Sequence, residues 1–428
     1  MEDARKRGAV LCISAVIFVA VVYQAATLWV AWRWERSSEQ SEQIKGAKLI
    51  PGNAEALDRI GEAEEANFDA PPAGAIGLLE HAVKANPLSA RNWMDLAQAC
   101  EANGDIVDAN TAYQKAQQDD PISPDVAWKY GNFLLRQGET TAGLEQVHRS
   151  LLGDPRLVPL AISRVWRSDP NIKAMLHEVL PQDESSWFYA LDFFSAQHQN
   201  DEAMEIWEDI TNLAKTSPMD IHAVFPFLQE LINQDKALEA RRVWEEAIAV
   251  ARWPNTTEAD HSHVWNGGFE DPIADGGLDW RLEGAPGTYI SIDSSIYHSG
   301  KKSLRVDFTG GFNVDFQGVH EIVPVEPSTT YKFAYFMRTQ DISTDSGVRF
   351  EILDLNDNQV SLMTPDLTGT KQWTLQQTEV ATGRNTHFLD VRMRRLPSQL
   401  FDNKLSGTVW IDDVSLTPET AAGAKARP

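Results

Sequence analysis

The sequence predicts a multidomain protein of the α plus β class, with a single N-terminal transmembrane helix, an α-solenoid and a C-terminal antiparallel β-sandwich. Three observations lead to this prediction. An uncharged apolar run opens the chain, and prolines then recur at a constant spacing through a helical region. From Val264 onward, short alternating runs separated by turn residues replace the helical periodicity.

The charge and the cysteine count of the chain exclude two classes of protein. With 62 Asp and Glu against 38 Lys and Arg, the formal net charge is -24. Nucleic-acid binding requires clustered Lys and Arg that displace counterions, so we expect no nucleic-acid partner. The two cysteines, Cys12 and Cys100, lie in the apolar run and in a helical repeat. We therefore expect no disulfide framework of the kind found in small secreted domains.

The apolar run covers residues 9–32 and contains no charged residue over 24 positions. About 20 apolar residues span a bilayer core, so the run predicts a transmembrane helix. Trp29, Trp32 and Trp34 near its end are typical of an interfacial aromatic belt. The alternative is a cleaved signal peptide, but the sequence at 23–26, Tyr-Gln-Ala-Ala, is a poor cleavage site.

The helical region repeats every 34 residues, as the positions of Pro87, Pro121 and Pro155 show. This is the period of a helix-turn-helix repeat of the tetratricopeptide type. The best unit resembles that family at Trp93, Leu96, Ala97, Ala109, Tyr113, Ala116 and Pro121. The neighbouring units are more divergent, and we expect roughly five helical pairs in the region.

The resemblance to tetratricopeptide repeats implies a curved array whose concave surface binds a protein or peptide partner. The large aromatic residues of the region, however, lie at positions where helices pack on each other. Trp93, Trp187, Trp207 and Trp244 are therefore expected in the core. No residue of the array is predicted as a ligand contact.

A polar segment links the array to the last domain. His261 and His263 within it have no further metal-ligand types nearby, so we expect solvated side chains rather than a zinc site. The next region has the length of a two-sheet jelly roll, about 150 residues. Alternation predicts strands at 304–308, 331–338, 348–353, 388–394 and 409–416.

Three motifs in the last domain carry a resemblance. Trp-Asn-Gly-Gly-Phe-Glu at 265–270 opens the domain, His-Ser-Gly-Lys-Lys-Ser-Leu-Arg-Val at 298–306 follows, and Trp-Ile-Asp-Asp-Val-Ser-Leu at 410–416 closes it. With Trp280 and Trp373, they resemble the galactose-binding-like jelly rolls that serve as carbohydrate-binding modules of xylanases and glucanases. The resemblance implies a β-sandwich that binds a glycan, and it places both of these tryptophans in the core.

The same resemblance implies one structural calcium ion between the first and last strands. Glu270, Asp412 and Asp413 match carboxylate positions of the family, and the turn around Lys301 would add backbone carbonyls. Such oxygen atoms are the ligands that calcium takes in proteins. The alternative is that these side chains make ordinary hydrogen bonds or face the solvent.

Alternation along three segments predicts a polar face suited to a glycan. Successive side chains of a strand point to opposite faces, so polar residues two apart share one face. A few oriented polar groups in such a place are typical of ligand sites. The candidate glycan-binding residues are Asn313, Asp315, Gln317, Arg349, Glu351, Arg392 and Arg394. A solvated outer face is the alternative.

No P-loop, nucleophile elbow, dinucleotide fingerprint or zinc-ligand cluster is present in the sequence. We predict a non-catalytic, membrane-anchored adaptor of the bacterial envelope. Its array would bind a protein, and its sandwich would bind an exopolysaccharide or a cell-wall polysaccharide. The alternatives are a structural or assembly scaffold whose sandwich makes only protein contacts, and a glycan hydrolase with an unrecognised site.

The membrane orientation depends on the glycan-module resemblance, because the flanking charges barely decide it. Arg5, Lys6 and Arg7 precede the apolar run, whereas Arg33 and Arg36 follow it. We expect the inner membrane, with the bulk of the chain periplasmic. The predicted segments are a cytoplasmic tail at 1–8, the transmembrane helix at 9–32, a stalk at 33–52, the array at 53–251, a linker at 252–263, the sandwich at 264–418 and a disordered tail at 419–428.

Overall fold

The computed structural model forms two compact units, Met1–Pro181 and Gln182–Pro428. The residues that the structure describes are 2–37, 39–50, 54–65, 72–166, 172–215, 218–255, 262–401 and 403–419. His261 and nearly all of the predicted disordered tail lie outside the described residues.

The first unit begins with helix α1, Glu2–Glu35, which contains the predicted apolar run. Among the described residues, the segment Ile13–Trp34 is the one helix long and apolar enough to cross a membrane, with a mean hydropathy of 2.0. A second helix, α2, covers Gln40–Leu49, where the sequence predicts only a stalk. This segment lacks an apolar stripe, but two Gln and two Lys among its ten residues favour a helix by intrinsic propensity.

Eight further helices in the first unit form antiparallel pairs. They are α3 Ala54–Glu65, α4 Pro72–Ala85, α5 Ala90–Asn103, α6 Ile106–Asp119, α7 Pro124–Arg136, α8 Thr140–Gly153, α9 Val158–Trp166 and α10 Ile172–Val179. The 34-residue period reappears in their caps, because the side chains of Ser89 and Ser123 accept hydrogen bonds at the starts of α5 and α7. The prediction of a tetratricopeptide-like array is confirmed for these pairs.

Two more helical pairs open the second unit. They are α11 Glu184–Ala196 with α12 Asn200–Ala214, and α13 Phe225–Asn233 with α14 Ala237–Ala251. Trp187, Trp207 and Trp244 are buried in these pairs, as predicted. Trp93 of the first unit is half-buried and packs against the core of its own pair.

The rest of the second unit is a sandwich of two antiparallel five-stranded sheets. The strands are β1 Arg281–Leu282, β2 Thr288–Asp293, β3 Ser303–Thr309, β4 Phe316–Pro324, β5 Thr330–Ile342, β6 Arg349–Asp354, β7 Gln359–Met363, β8 Gly369–Ala381, β9 Phe388–Arg395 and β10 Ser406–Pro418. Sheet A has the order β1-β4-β9-β6-β7, and sheet B has the order β2-β3-β10-β5-β8. The apolar side chains between the sheets form one core. All five strands predicted from alternation are present.

Helix α14 packs directly against the sandwich. The ring centroids of Trp244 and Trp265 lie 5.9 Å apart, and Nη2 of Arg241 donates to the carbonyl of Pro324 at 2.7 Å. His263 is half-buried against Tyr331, with 5.1 Å between the ring centroids, and burial lowers its pKa. The prediction of a solvated His263 is therefore wrong, because this part of the linker is held between the helix and the sandwich.

Candidate functional site

The outer face of sheet A carries a row of side chains that crosses all five strands. Directly paired residues of antiparallel strands lie side by side on one face. The register pairs Arg281 with His320, His320 with Arg392, Arg392 with Glu351, and Glu351 with Met363. This row runs from one edge of the sheet to the other.

Ion pairs connect the predicted residues on this face. Nε of Arg392 donates to Oε1 of Glu351 at 2.7 Å, and Nη2 of Arg392 contacts the same oxygen. Arg394 points the same way, two positions along β9. It pairs with Asp315, and its Nε lies 3.8 Å from Oε1 of Glu351. The pairs hold these side chains in fixed orientations.

Arg349 of β6 lies directly opposite Arg394 in the register. Its Nη2 is 3.1 Å from Oδ2 of Asp366. The structure therefore brings five of the seven candidate glycan-binding residues together on one face. They are Asp315, Arg349, Glu351, Arg392 and Arg394.

Of the other two candidates, Asn313 contacts loops, and Gln317 lies at an irregularity of β4. Oδ1 of Asn313 accepts hydrogen bonds from the backbone N–H of Ser398 at 3.0 Å and from Nη1 of Arg395 at 2.7 Å, so Asn313 connects loops. Gln317 is exposed on β4, at the irregularity where the register with β9 shifts. Such an irregularity interrupts the period-2 alternation on which the prediction for Gln317 depends.

Three further residues lie on this face and are not predicted from the sequence: Arg281, His320 and Asp390. Nδ1 of His320 lies 3.2 Å from Oδ1 of Asp390, and Nη1 of Arg392 lies 3.6 Å from Oδ2 of the same carboxylate. Burial lowers the pKa of Arg281. Asp390 alternates with Arg392 along β9, which is a signal present in the sequence. Arg281 and His320 join the row only through the strand register.

Arg395, at the end of β9, alternates with the outward-pointing Arg394 and holds the loops at one end of sheet A. It is fully buried, and its guanidinium donates to the carbonyls of Val314 at 2.5 Å, Asn403 at 3.1 Å and Ser346 at 3.3 Å, as well as to Asn313. Burial lowers the pKa of Arg395. One side chain thus ties together three loops at the end of sheet A.

The residues predicted to hold calcium meet at a different corner, beside sheet B. Oε1 of Glu270 accepts hydrogen bonds from the backbone N–H groups of Lys301 at 2.6 Å and Lys302 at 2.9 Å. Gly300 has a φ of +61°, and a Cβ on it would lie 2.1 Å from Oε1 of Glu270. Only glycine allows this close approach of the turn to the carboxylate.

Asp412 and Asp413 of β10 hold the same turn from the other side. Oδ2 of Asp412 accepts hydrogen bonds from the backbone N–H groups of His298 at 2.7 Å and Ser299 at 3.2 Å, and burial raises its pKa to about 6. The hydroxyl of Ser299 donates to Asp413 at 2.6 Å, and Nδ1 of His298 lies 2.6 Å from the same carboxylate. The corner thus joins the start and the end of the sandwich.

The donor chemistry at this corner is that of a calcium site, since carboxylates converge on one turn. Glu270, Asp412 and Asp413, however, already accept N–H or O–H groups, and the ammonium of Lys302 donates to the carbonyl of Glu270. Lys301 takes part through its N–H group. A calcium ion that used the Glu270 carbonyl would have to replace the ammonium, so calcium stays a prediction.

The two tryptophans of the sandwich that are predicted in the core, Trp280 and Trp373, differ in burial. Trp280 is fully buried, in agreement with the prediction. Trp373 is half-buried on β8, where its ring centroid lies 5.8 Å from that of His298. The prediction for Trp373 is wrong because β8 is an edge strand of sheet B, and most of its side chains remain partly or fully exposed.

Comparison with known proteins identifies the last domain. Residues 261–390 match the family described as a carbohydrate binding domain, CBM_4_9. Similar solved structures include the CBM22-1 xylan-binding domain of Xyn10C from Paenibacillus barcinonensis, with 18% identity over 38% of this chain and 94% of that chain and a TM-score of 0.27. TmCBM61, in complex with β-1,4-galactotriose, has 14% identity over 37% of this chain and 100% of that chain, with a TM-score of 0.27.

The helical region has similar structures of its own. YrrB, a TPR protein with an unusual peptide-binding site, has 11% identity over 49% of this chain and 92% of that chain, with a TM-score of 0.26. No curated protein matches the chain. The chain combines helical pairs of a 34-residue period with a β-sandwich that matches the carbohydrate binding domain family.

Proposed function

We propose that the chain is a non-catalytic adaptor whose sandwich binds a polysaccharide on the outer face of sheet A. The family match supports the ligand class. A row of polar side chains across β1, β4, β9 and β6 supports the location of the binding site, and it is the observation that carries the proposal. Ion-paired guanidinium and carboxylate groups keep unused donors and acceptors in fixed positions, which suits hydrogen bonding to sugar hydroxyls.

The helical pairs supply the second half of the proposed function. Stacked pairs of this type present a concave surface, which supports binding of a protein partner. The apolar segment Ile13–Trp34 supports a membrane anchor, although a signal sequence has the same length and composition. With a glycan as ligand, we place the bulk of the chain in the periplasm of a bacterial envelope, tethered to the inner membrane.

A polysaccharide pull-down with the full-length chain in detergent tests the glycan half. The matched variants are Glu351→Gln/Arg392→Gln on the face, and Gln377→Ala on the exposed side of β8 in sheet B. We expect exopolysaccharide or cell-wall polysaccharide to retain the wild type and the sheet B variant but not the face variant. Retention of the face variant would show that the glycan binds elsewhere on the chain. If none of the three proteins is retained, the proposal that the sandwich binds a polysaccharide fails.

Topology is tested by fusing alkaline phosphatase, which is active only outside the cytoplasm, to the C-terminus. We expect an active fusion that stays in the membrane fraction. An inactive fusion would indicate that the C-terminus lies in the cytoplasm, opposite to the proposed orientation. An active fusion released into the soluble fraction would favour a cleaved signal sequence over an anchor.

A second function has a specific observation in its favour. Helix α14 packs on the sandwich through Arg241 and Trp244, as expected for a structural or assembly scaffold whose sandwich makes only protein contacts. Co-purification of a defined membrane complex, together with no affinity for any polysaccharide, would favour this scaffold over the adaptor.

A hydrolase is the third possibility. Glycosidases place two carboxylates about 5–10 Å apart around the scissile bond. On the face of sheet A, Glu351 and Asp390 are both engaged by Arg392, which favours their use as fixed hydrogen-bonding groups. We expect no turnover of labelled glycans, and release of labelled fragments would favour the hydrolase.

A further inference from the structure

Three carboxylates from two helices of the array meet around one point. Helix α3 contributes Asp58 and Glu62, which lie four residues apart on one helical face, and α5 contributes Asp95. One oxygen atom from each of the three lies within 4.8 Å of the others. Oxygen ligands of one cation have such separations, because each lies about 2.0–2.6 Å from the ion.

Two of these carboxylates are almost completely buried. Asp58 is 2% exposed and Asp95 is 3% exposed. Oδ1 of Asp58 and Oδ2 of Asp95 are buried without a hydrogen-bond partner. A buried carboxylate oxygen without a partner is costly, and native proteins seldom retain one without a ligand or another function.

Arg91, one turn before Asp95 on α5, compensates this charge only in part. Its Nη2 lies 3.2 Å from Glu62, whereas its Nε lies 3.6 Å from Asp58 and 3.5 Å from Asp95. The last two distances exceed those of good hydrogen bonds. The Arg91 side chain is 65% exposed, so it reaches the carboxylates from the solvent side. Lys129 lines the pocket beside the cluster, so two positive charges face the three carboxylates.

A pocket of about 330 Å³ opens beside the cluster. Glu62, Arg91 and Asp95 line it, together with Asp120, Asp125 and Lys129, and Nζ of Lys129 lies 3.8 Å from Oδ2 of Asp125. The pocket gives a small hydrated ion a path to the buried oxygens, and its space admits water molecules that complete a coordination shell.

We propose that Asp58, Glu62 and Asp95 bind one hard divalent cation. All of the protein ligands are carboxylate oxygens, the donor type that Ca²⁺, Mg²⁺ and Mn²⁺ prefer. The bound ion connects α3 to α5 and thereby the first helical pair to the second. Arg91 turns toward the solvent when the ion binds, because both cations cannot occupy the same place.

Mn²⁺ titration of the metal-stripped, full-length chain in detergent, followed by electron paramagnetic resonance, tests the proposal. All proteins in this experiment carry Glu270→Gln, which removes a carboxylate of the predicted calcium corner, and the chain with this substitution alone is the parent. We expect one bound ion, with affinity at least about ten-fold lower in Asp58→Asn/Asp95→Asn, as for loss of groups at a metal site. The matched control, Asp108→Asn/Glu145→Gln, removes the same charge from exposed positions of α6 and α8 outside the pocket lining and should bind as the parent does.

Arg91→Gln separates a metal site from an ion-pair network. If the cluster binds a cation, this variant binds Mn²⁺ more tightly because the competing guanidinium is gone. If the cluster is only a network, the variant melts at a lower temperature and no variant binds Mn²⁺. The proposal is overturned by the absence of saturable binding in the parent chain, or by equal binding in the Asp58→Asn/Asp95→Asn variant when circular dichroism shows it folded.

Discussion

Nε of Arg392 lies 2.7 Å from Oε1 of Glu351, on two neighbouring strands at the centre of the outer face of sheet A. The side chain of Arg392 is 18% exposed, and that of Glu351 is 4% exposed. Neither group is therefore free to turn into the solvent. A ligand on this face meets an oriented pair whose remaining donors and acceptors stay in place.

Breaking this pair from one side should cost more than removing it completely. Arg392→Met leaves the buried carboxylate of Glu351 without its main partner, and we expect the free energy of unfolding to fall by about 3 kcal/mol. Glu351→Gln/Arg392→Gln removes both charges and should lose less. Urea unfolding of the three proteins measures the difference, and an equal loss in both variants would show that the charge is not the cause.

Arg395 should be essential for the stability of the loops at the end of sheet A. Arg395→Met leaves the buried carbonyls of Val314 and Asn403 without a donor, so we expect a loss of about 2–3 kcal/mol in the free energy of unfolding. The control is Arg384→Met in the exposed turn between β8 and β9, with an expected change within about 0.5 kcal/mol. Similar losses in the two variants would contradict this role of Arg395.

Gly300 should tolerate no side chain. Gly300→Ala places a methyl group 2.1 Å from Oε1 of Glu270 at a φ of +61°, and we expect a loss of at least about 1–3 kcal/mol. Gly284→Ala is the matched control, because nothing lies within 4 Å of its Cβ. Thermal unfolding of both variants tests the prediction, which fails if Gly300→Ala has the same melting temperature as the wild type.

The stability of the sandwich should depend on pH through Asp279. Burial raises the pKa of Asp279 to about 7, even though the backbone N–H groups of Ala274 and Trp280 donate to its carboxylate. Its pKa in the unfolded chain is about 3.9. Between these values the folded state binds the proton more strongly, so the free energy of unfolding falls as the pH rises from about 4 to about 7.

Asp279→Asn isolates this contribution, which is at most about 4 kcal/mol. Comparison with the variant is needed because burial also raises the pKa of Glu321, which acts with the same sign. We expect urea unfolding at several pH values to show a smaller decrease in Asp279→Asn than in the wild type. Identical pH profiles would mean that Asp279 titrates normally in the folded protein.

Calcium should raise the melting temperature of the sandwich if an ion replaces the Lys302 ammonium at Glu270. A ligand that binds only the folded state stabilises it by mass action. In the Asp58→Asn/Asp95→Asn background, we therefore expect a higher melting temperature in calcium than in EDTA, and no difference when Glu270→Gln is added. An unchanged melting temperature in the wild type would show that the hydrogen bonds and Lys302 close the corner by themselves.

Local patterns predict the elements of this fold well. The repeated prolines mark the starts of α5 and α7, because in each repeat a serine two residues later caps the helix. Alternation predicts five of the ten strands of the sandwich, because one face of each of these strands is buried. The helix α2 is an exception, because propensity rather than an apolar stripe favours it.

Contacts between residues that lie far apart in the sequence are harder to predict from local patterns. Asp390 could be found from its alternation with Arg392, but His320 meets them only through the register of β4, which contains an irregularity. The cluster of Asp58 and Asp95 depends on two helices whose contact no local pattern shows. The turn that receives Glu270 was found only through resemblance, because 31 residues separate Glu270 from Lys301.

The most direct test of the proposed glycan binding is a polysaccharide array probed with the full-length chain and with Glu351→Gln/Arg392→Gln. We expect the wild type to bind at least one bacterial polysaccharide. We expect the variant, with an unchanged circular dichroism spectrum, to lose this binding. Equal binding by both proteins would contradict the assignment of the face, and no binding by the wild type would contradict the glycan-binding function itself.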